Sequence, residues 1–344
     1  MIEESVDNKN NHIVLDIQNL RKYFSVKNNN IFSREKKYVK AVNGVSFQLK
    51  QGETHALVGE SGCGKSTTGR TILRLTEPTE GKVYFGEKDI FGLNHKQMLV
   101  VRKDIQIVFQ DPYSSLNPTK RIGDILEEPL IIHKMGTKKE RQEIVMDVLK
   151  KVGLQMEHYY RFPHEFSGGQ RQRIGIARAL VVNPKIIILD EAVSALDVSI
   201  QAQVINLLKK LQNEYNITYL FISHDMSVVR HISNKISVMY LGQIVEEADT
   251  DELFSNPRHP YTKALLSSIP VHEPSMKKEE IILEGEIPSP IDPPTGCVFS
   301  TRCPIVQDIC KNEEPIVNKF GNNHKVKCHL AMTVNKHSSE KYQN

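Results

Sequence analysis

A glycine-rich stretch near residue 60 has the residue types and the spacing of a phosphate-binding loop. It reads Gly59-Glu60-Ser61-Gly62-Cys63-Gly64-Lys65-Ser66. The apolar run His55–Val58 before it predicts a strand, and a helix is expected from about Ser66. Glycines let backbone N–H groups converge on phosphate oxygens, and the helix adds its positive N-terminal end. Lys65 supplies a cation for nucleotide phosphates, and the Ser66 hydroxyl is a ligand for Mg²⁺. Cys63 is expected to be inert.

Two carboxylates follow a second apolar run. Ile186–Leu189 is continuously apolar, as expected of a strand that is buried on both faces. Asp190 comes next, at the carboxyl end of the strand, where open α/β sheets bind their ligands. This position suits Asp190 for holding Mg²⁺ and suits Glu191 for activating water as a general base. A pair of surface carboxylates is the alternative.

Two short polar motifs flank that strand. They are Ser167-Gly168-Gly169-Gln170 before it and Ser194-Ala195-Leu196-Asp197 after it. The first opens a predicted helix, so it is either an anion site at the helix N-terminus or only a turn with Ser167 as a cap. The second is, by itself, a plain turn in which Ser194 caps the next helix. Gln110 and His224 each follow a predicted strand, and neither indicates a function alone.

The intervening sequence predicts the elements that position these motifs. Strands alternate with helices, which favours a mostly parallel, covered sheet. A helical pattern runs from Ile122 to about Leu154, with Thr137 and Glu140 as a capping box. A closing hairpin is expected around Gly242, and a solvated loop is favoured between Phe24 and Tyr38 over a membrane-surface contact.

The bulk composition indicates a soluble, cytosolic chain. Apolar residues make up 39% of the 344 residues, and the net charge of +4 is too small to indicate nucleic-acid binding. No apolar run approaches the roughly 18 to 20 residues that a membrane span needs, and the N-terminus lacks a signal-peptide core. Any work at a membrane is therefore expected to go through partner chains.

Four of the five cysteines lie close to the C-terminus. They are Cys297, Cys303, Cys310 and Cys328, in a proline-rich stretch with few signs of regular structure. Structural zinc sites usually have pairs two to four residues apart, and this spacing is wider. An iron–sulfur cluster suits wide spacing better, since its thiolates can come from separate loops. Zinc and free structural thiols remain alternatives.

In their chain order, these motifs resemble the ATP-binding-cassette ATPases. The resemblance implies that Ser167 to Gln170 is the family's signature, which contacts the γ-phosphate bound by the partner subunit. It implies that Ser194 to Asp197 is a dimer-contact loop. His224 would contact the γ-phosphate, and Gln110 would sense Mg²⁺ and water and couple the site to a transmembrane partner. The implied catalytic residues are Glu191, His224 and Gln110.

The resemblance also assigns the nucleotide contacts. Phe24 aligns best with the aromatic residue that stacks on adenine, and Tyr23 and Tyr38 are the alternatives. The implied ATP-binding residues are Phe24, Gly59, Glu60, Ser61, Gly62, Cys63, Gly64, Lys65, Ser66 and Thr67, with Mg²⁺ held by Ser66, Gln110 and Asp190. The family usually has Leu in place of Phe166 and often Pro in place of Ala192. We expect these departures to alter packing and no chemistry.

Three local sequences narrow the resemblance to the ATPases of bacterial oligopeptide and dipeptide importers, and most closely to their second ATPase subunit. They begin at Phe109, Ser194 and His259. The stretch from Gly296 to Pro304 is similar to the C-terminal extension of these ATPases, in which four cysteines hold a [4Fe–4S] cluster in some members. The implied partners are a second, homologous ATPase, two transmembrane permeases and an extracytoplasmic peptide-binding protein, with the chain peripheral on the cytoplasmic face of the membrane.

The expected fold is α/β, an ABC-type nucleotide-binding domain with a mostly parallel sheet, an antiparallel β subdomain and a helical subdomain. We expect the ATPase domain over 13–256, its helical subdomain over about 117–182, an irregular cysteine-containing extension over 257–335, and tails at 1–12 and 336–344. The alternatives are a soluble cassette ATPase of DNA repair or translation, and an importer of another solute such as glutathione or a nickel chelate.

Overall fold

A computed structural model describes residues 12–26, 37–111, 115–269, 280–321 and 323–332. Residues 27–36, the middle of the expected solvated loop, lie outside the described residues. So do almost all of the two expected tails and 112–114 in the sequence that begins at Phe109.

Strands and helices are interspersed along the described part of the chain, and they alternate from β7 to β9. The strands are β1 (Ile13–Val26), β2 (Lys37–Lys50), β3 (Thr54–Val58), β4 (Glu80–Phe85), β5 (Lys88–Asp89), β6 (Ile105–Val108), β7 (Ile186–Asp190), β8 (Thr218–Ser223), β9 (Lys235–Tyr240), β10 (Gln243–Asp249), β11 (Val317–Phe320) and β12 (His324–Lys327). The α-helices are α1 (Lys65–Ile72), α2 (His95–Asp104), α3 (Ile122–Ile132), α4 (Lys138–Lys151), α5 (Gly168–Leu180), α6 (Val198–Tyr215), α7 (Met226–Ile232), α8 (Thr250–Ser255), α9 (Pro260–Ser267) and α10 (Asp308–Asn312). Short 3₁₀ helices span Ile90–Gly92, Met156–Tyr160 and Pro163–Glu165.

The chain divides into two compact units, each made of separate stretches. The first comprises the described residues of Met1–Leu15, Gln48–Thr54 and Tyr84–Ser223. The second comprises those of Asp16–Phe47, His55–Val83 and His224–Asn344.

In the first unit, β6, β7 and β8 lie side by side and are all parallel, as the alternation of strands and helices predicts. Ile188 of β7 pairs with Ile107 on one side and Leu220 on the other. Every residue of β7 and β8 is buried, which accounts for their unbroken apolar runs. The parallel register brings the carboxyl ends of β6 and β7 to one edge of this sheet.

The predicted helical stretch of the first unit is two helices, α3 and α4. The capping box that was predicted for α4 is present: Glu140 Oε2 accepts from the Thr137 N–H at 2.6 Å, and Thr137 Oγ1 accepts from the Glu140 N–H at 3.4 Å. On α4, Val145, Val148 and Leu149 lie on one apolar face and are buried, as expected of a helix that packs against a core.

In the second unit, β3 runs parallel to β9, and β9 turns back into antiparallel β10 at Leu241 and Gly242. This is the predicted hairpin. Strands β2, β1 and β4 lie in that order in another sheet. The cysteine-containing extension was expected to be irregular over 257–335. It is irregular over 280–307, but helices α9 and α10 and a closing hairpin are regular elements that the sequence does not predict. There β12 pairs with β11 and, on its other side, with β10.

Among the residues that the structure describes, no helix combines the length and the apolar character that a bilayer crossing requires.

A buried carboxylate joins the extension to β10. Glu247, 2% exposed, lies directly opposite Ser237 of β9 and Lys325 of β12. Its Oε1 accepts from Lys235 Nζ at 2.8 Å and from Lys325 Nζ at 2.9 Å, and its Oε2 accepts from the Ser237 hydroxyl at 3.1 Å. Burial alone would raise the pKa of Glu247, but the positive charge of His55, Lys235 and Lys325 lowers it to about 2.

Substituting Glu247→Gln should remove a stabilisation that depends on pH. The pKa of Glu247 falls from 4.5 to about 2 on folding. The unfolded chain therefore takes up the proton first, and the stabilisation, present above pH 4.5, is lost as the pH approaches 2. The free energy of unfolding of the wild type should exceed that of the variant by up to about 3 kcal/mol near neutral pH, and by less as the pH falls. Urea unfolding between pH 2.5 and 7 measures this.

Asp308→Asn, which changes a side chain that is 94% exposed, is the control. A wild-type advantage over Glu247→Gln that does not vary with pH would contradict the assignment.

Candidate functional site

The phosphate-binding loop of the second unit lies between β3 and α1. All five residues of β3 are buried, so the strand fixes where the loop begins. Helix α1 begins at Lys65, and its N-cap is Gly64, in a left-handed conformation with φ 108°. The strand, loop and helix therefore follow one another as the motif requires, and the amide groups of the first helical turn lie within the loop.

Two glycines of the loop are required by close packing. A Cβ on Gly59 would lie 2.1 Å from the Met239 carbonyl oxygen, and one on Gly64 would lie 2.1 Å from that of Ala41. The loop is also tied to the β9–β10 turn, because the Gly242 N–H donates to the Cys63 carbonyl at 2.9 Å. Backbone from two other segments, at Ala41 and from Met239 to Gly242, thus sets the path of the loop.

Lys65 is 3% exposed, and its ammonium group lies inside the curve of the loop. Its Nζ donates to the carbonyl oxygens of Gly59 at 2.8 Å and Glu60 at 2.9 Å. Phosphate oxygens would compete for the same donors. Burial raises the pKa of the Cys63 thiol above its ordinary value of 9.0, so at neutral pH it is protonated, in agreement with an inert role.

In the first unit, Asp190 and Glu191 stand at the carboxyl end of β7. Asp190 is 2% exposed, and Glu191 has a left-handed backbone with φ 49°. Such a conformation is strained for a residue with a side chain and persists only where its surroundings hold it. Here the Glu191 N–H donates to the Ile222 carbonyl at 3.0 Å, and the Glu191 carbonyl accepts from the Ser194 N–H at 3.2 Å and from its hydroxyl at 2.9 Å.

The left-handed turn brings the Glu191 carboxylate next to Gln110. Gln110 Nε2 donates to Glu191 Oε2 at 3.0 Å, although the two residues are 81 positions apart in the chain. The parallel pairing of β6 with β7 explains the contact, because each residue follows the end of its strand. Two of the residues predicted from separate motifs therefore meet. Their groups, a carboxylate beside an amide, could orient one water molecule.

The Ser194 to Asp197 segment does not cap a helix through Ser194. Helix α6 begins at Val198 with Asp197 as its N-cap, and the Asp197 side chain makes no capping hydrogen bond. The segment is a turn, as that alternative expected, but Ser194 is not the cap of the helix. The hydroxyl of Ser194 bonds instead to the backbone of Glu191, so this segment fixes the general-base candidate.

The Ser167 to Gln170 motif begins α5 with a complete capping box. Ser167 Oγ accepts from the Gln170 N–H at 3.4 Å, and Gln170 Oε1 accepts from the Ser167 N–H at 3.0 Å. A Cβ on Gly169 would lie 2.6 Å from Ile200 Cγ2 of α6, so packing requires that glycine. Phe166, where the family usually has Leu, is 4% exposed. Ser167 is exposed, and Gly168, Gly169 and Gln170 are half-buried.

His224 directly follows β8 and is exposed. The next residue, Asp225, caps α7, since its Oδ1 accepts from the Ser227 N–H at 2.8 Å. Of the three aromatic candidates for adenine, the Tyr23 hydroxyl is held by Asn43 Oδ1 at 2.7 Å. Phe24 and Tyr38 are 41% and 42% exposed, and Lys22 Nζ lies 4.8 Å from the centre of the Phe24 ring.

Three of the four extension cysteines are buried, and Cys303 is half-buried. Burial raises the pKa of Cys303 to about 11 and that of Cys328 to about 12, so these thiols are protonated at neutral pH. In the described part of the chain, no group of three or more His, Cys, Asp or Glu side chains is arranged to hold a metal ion.

Two contacts of the phosphate loop involve residues that the sequence does not assign to the nucleotide site. Arg302 pairs with the Glu60 carboxylate at 2.8 Å, and the Tyr261 hydroxyl accepts from the Glu60 N–H at 2.9 Å. The sequence gives no signal for either contact, because Arg302 and Tyr261 lie more than 200 residues beyond the loop.

Comparison with known proteins assigns the class. The ABC transporter family model matches residues 42–194, and the model of the oligopeptide/dipeptide transporter C-terminal region matches residues 245–310. Among solved structures, the chain is similar to cbiO1 of Clostridium perfringens, with a TM-score of 0.60 and 27% identity over 71% of this chain and 91% of that one. It is also similar to a dimeric ATP-binding cassette bound to ADP and Pi, with a TM-score of 0.61 and 32% identity over 69% and 98%. The fold is thus that of an ABC nucleotide-binding domain.

Two relatives match over nearly their whole length. The oligopeptide transport ATP-binding protein AppF of Bacillus subtilis is 56% identical over 324 residues, which is 93% of this chain and 98% of the relative. The dipeptide transport ATP-binding protein DppF of Haemophilus influenzae is 50% identical over 320 residues, 93% and 97% respectively. The chain belongs to the family of ABC transporter ATP-binding proteins, whose activity is the hydrolysis of ATP.

Gly64→Ala should damage the loop more than Gly62→Ala. Both glycines have positive φ, so each alanine costs about 1–2 kcal/mol of backbone strain. Only the Gly64 substitution also forces Cβ against a backbone oxygen, since nothing lies within 4 Å of a Cβ on Gly62. We expect the Gly64 variant to melt at a clearly lower temperature and to lose at least about tenfold in ATP affinity. Calorimetry and nucleotide titration measure the two effects. Equal effects of the two substitutions would refute the packing argument.

Proposed function

We propose that this chain is the ATP-hydrolysing subunit of an importer that takes up oligopeptides or dipeptides across the cytoplasmic membrane. The observation that carries the proposal is that one chain matches both the ABC transporter family and the C-terminal region of oligopeptide/dipeptide transporters. The relatives are oligopeptide and dipeptide transport ATP-binding proteins, which favours peptides over the other expected cargoes and over DNA repair or translation. The proposed domains are an ATPase over 13–256 and an extension over 257–335.

In the second unit, the loop from Gly59 to Thr67 would bind the phosphates of ATP. Two observations support this role. The loop backbone is closely packed at Gly59 and Gly64, and the Lys65 ammonium, which would balance the phosphate charge, is buried. The Ser66 hydroxyl is this unit's ligand for Mg²⁺, and His224 would contact the γ-phosphate. Phe24, with an exposed ring, is the favoured platform for adenine.

In the first unit, Glu191 would be the general base for the attacking water. The support is its constrained backbone and its contact with Gln110, which together aim the carboxylate. The carboxylate of Asp190 and the amide oxygen of Gln110 are oxygen donors of the kind that Mg²⁺ prefers. The cation, when bound, neutralises charge on the phosphates. Ser167, Gly168, Gly169 and Gln170 would contact ATP bound by a partner subunit.

The proposal includes an assembly at the cytoplasmic face of the membrane. The chain would pair with a second, homologous ATPase through the segment from Ser194 to Asp197, which includes Ala195 and Leu196. Two permease subunits and an extracytoplasmic peptide-binding protein would complete it. Because the Ser194 hydroxyl bonds to the Glu191 carbonyl, a partner that binds this segment would affect the position of Glu191, the proposed general base.

Glu191→Gln should keep ATP binding and lose hydrolysis, because the amide matches the carboxylate in size but cannot accept the proton. We expect a loss of at least about a hundredfold in phosphate release by the purified assembly. Cells that carry this variant should also fail to take up a labelled tripeptide. Lys65→Ala is the matched comparison, and it should lose ATP binding itself. Normal peptide uptake with either variant would reject the proposed function.

We propose further that Cys297, Cys303, Cys310 and Cys328 bind a [4Fe–4S] cluster in the assembled protein. The support is four thiols in one short extension, in which the Cys297 N–H donates to the Cys310 carbonyl at 2.8 Å. The described side chains do not form a ready metal site, so binding would require the sulfur atoms to rearrange. The cluster would hold the loops of the extension together.

Protein purified without oxygen should contain about four irons per chain and absorb visible light. Cys310→Ala should lose the iron, whereas Cys63→Ala should retain it. Zinc in place of iron, or no metal in the anaerobic protein, would reject the cluster.

A further inference from the structure

Glu60, the second residue of the phosphate loop, is held by each of its polar groups. Its carboxylate accepts two bonds from Arg302, from Nη1 at 2.8 Å and from Nη2 at 3.2 Å. Its N–H donates to the Tyr261 hydroxyl at 2.9 Å, and its carbonyl accepts from Lys65 Nζ at 2.9 Å. Glu60 therefore joins the loop lysine to two residues of the C-terminal region.

The side chain of Tyr261 is fixed by packing. Its ring centroid lies 4.8 Å from that of Tyr240 and 5.4 Å from that of Phe299, and these rings are at most 1% exposed. The backbone of Tyr261 is fixed as well, since its N–H donates to His259 Nδ1 at 3.1 Å. A hydroxyl on such a rigid ring defines one position for the Glu60 amide.

Arg302 is fixed from the same cluster. Its N–H donates to the Phe299 carbonyl at 3.1 Å, and its guanidinium carbon lies 6.0 Å from the centre of the Tyr240 ring. The side chain is 9% exposed and that of Glu60 is 26% exposed, so water screens this pair less than a surface ion pair. The two-pronged geometry sets direction as well as distance.

We infer that Arg302 and Tyr261 are positioning residues for the phosphate loop, through which the C-terminal extension sets the affinity of the chain for ATP. By holding Glu60 they fix its carbonyl, and with it the place from which the Lys65 ammonium reaches phosphate. Preorganised groups bind a ligand more tightly because less freedom is lost on binding. The inference rests on the proposed binding of ATP phosphates by this loop.

The test compares ATP binding by the full-length wild type with ATP binding by variants that remove the bonds from Arg302 or Tyr261 to Glu60. Arg302→Gln and Glu60→Gln should each weaken ATP binding about tenfold. The double variant should be no weaker than either single one, because the two residues share one interaction. Tyr261→Phe, which removes only a hydroxyl, should weaken binding about threefold, and Arg302→Lys should lie between Arg302→Gln and the wild type.

A structural contact of the same kind supplies the control. Glu314 pairs with Lys327 at 2.6 Å in the same extension, and neither side chain bonds to the loop in the described part of the chain, so Glu314→Gln should bind ATP as the wild type does. In the assembly, the variants of Arg302, Glu60 and Tyr261 should have a higher KM for ATP than the wild type. Their kcat at saturating ATP should stay within about twofold of the wild-type value.

Wild-type ATP affinity in Arg302→Gln, Glu60→Gln and Tyr261→Phe would overturn the inference while leaving the proposed function intact. Additive losses in the double variant would also overturn it, and so would an equal loss in Glu314→Gln. If Lys65→Ala bound ATP as tightly as the wild type does, both the proposed function and this inference would be overturned.

Discussion

Backbone oxygens packed against Gly59 and Gly64 hold the phosphate loop in its curve, and the chemistry of the second unit depends on that contact. The carbonyls of Met239 and Ala41 would each lie 2.1 Å from a side-chain carbon, so no other residue type fits there. A loop confined in this way presents its amide groups and Lys65 without first having to be ordered. Such confinement lowers the entropy cost of binding an anion.

A comparable constraint acts at the end of β7. Glu191 adopts a conformation that costs free energy, and hydrogen bonds to Ile222 and Ser194 hold it there. The strained turn places its carboxylate at Gln110, whereas an extended backbone would carry the side chain onward along the strand direction. The general-base candidate thus depends on a dimer-loop candidate for its position, and the two motifs form one structural element.

Much of this could be predicted from residue patterns. The strand before the phosphate loop, the capping boxes at Thr137 and Ser167 and the hairpin at Gly242 follow from local rules, because each depends on residues close together in the chain. The contact between Gln110 and Glu191 could be predicted only by assuming that β6 and β7 pair in parallel. Arg302 and Tyr261 were not predictable, since side chains that meet over 200 residues apart leave no periodic trace. The role expected of Ser194 as a cap failed because Asp197 already begins the helix.

The hairpin of β11 and β12 gives the extension a role in the sheet itself. Strand β10 pairs with β9 on one side and with β12 on the other, so its outer N–H and C=O groups are satisfied by residues near the C-terminus. A chain cut at residue 256 would leave that row of groups open to any other strand, which is the usual start of edge-to-edge aggregation. Shortened versions of this protein would therefore be limited by solubility before they were limited by catalysis.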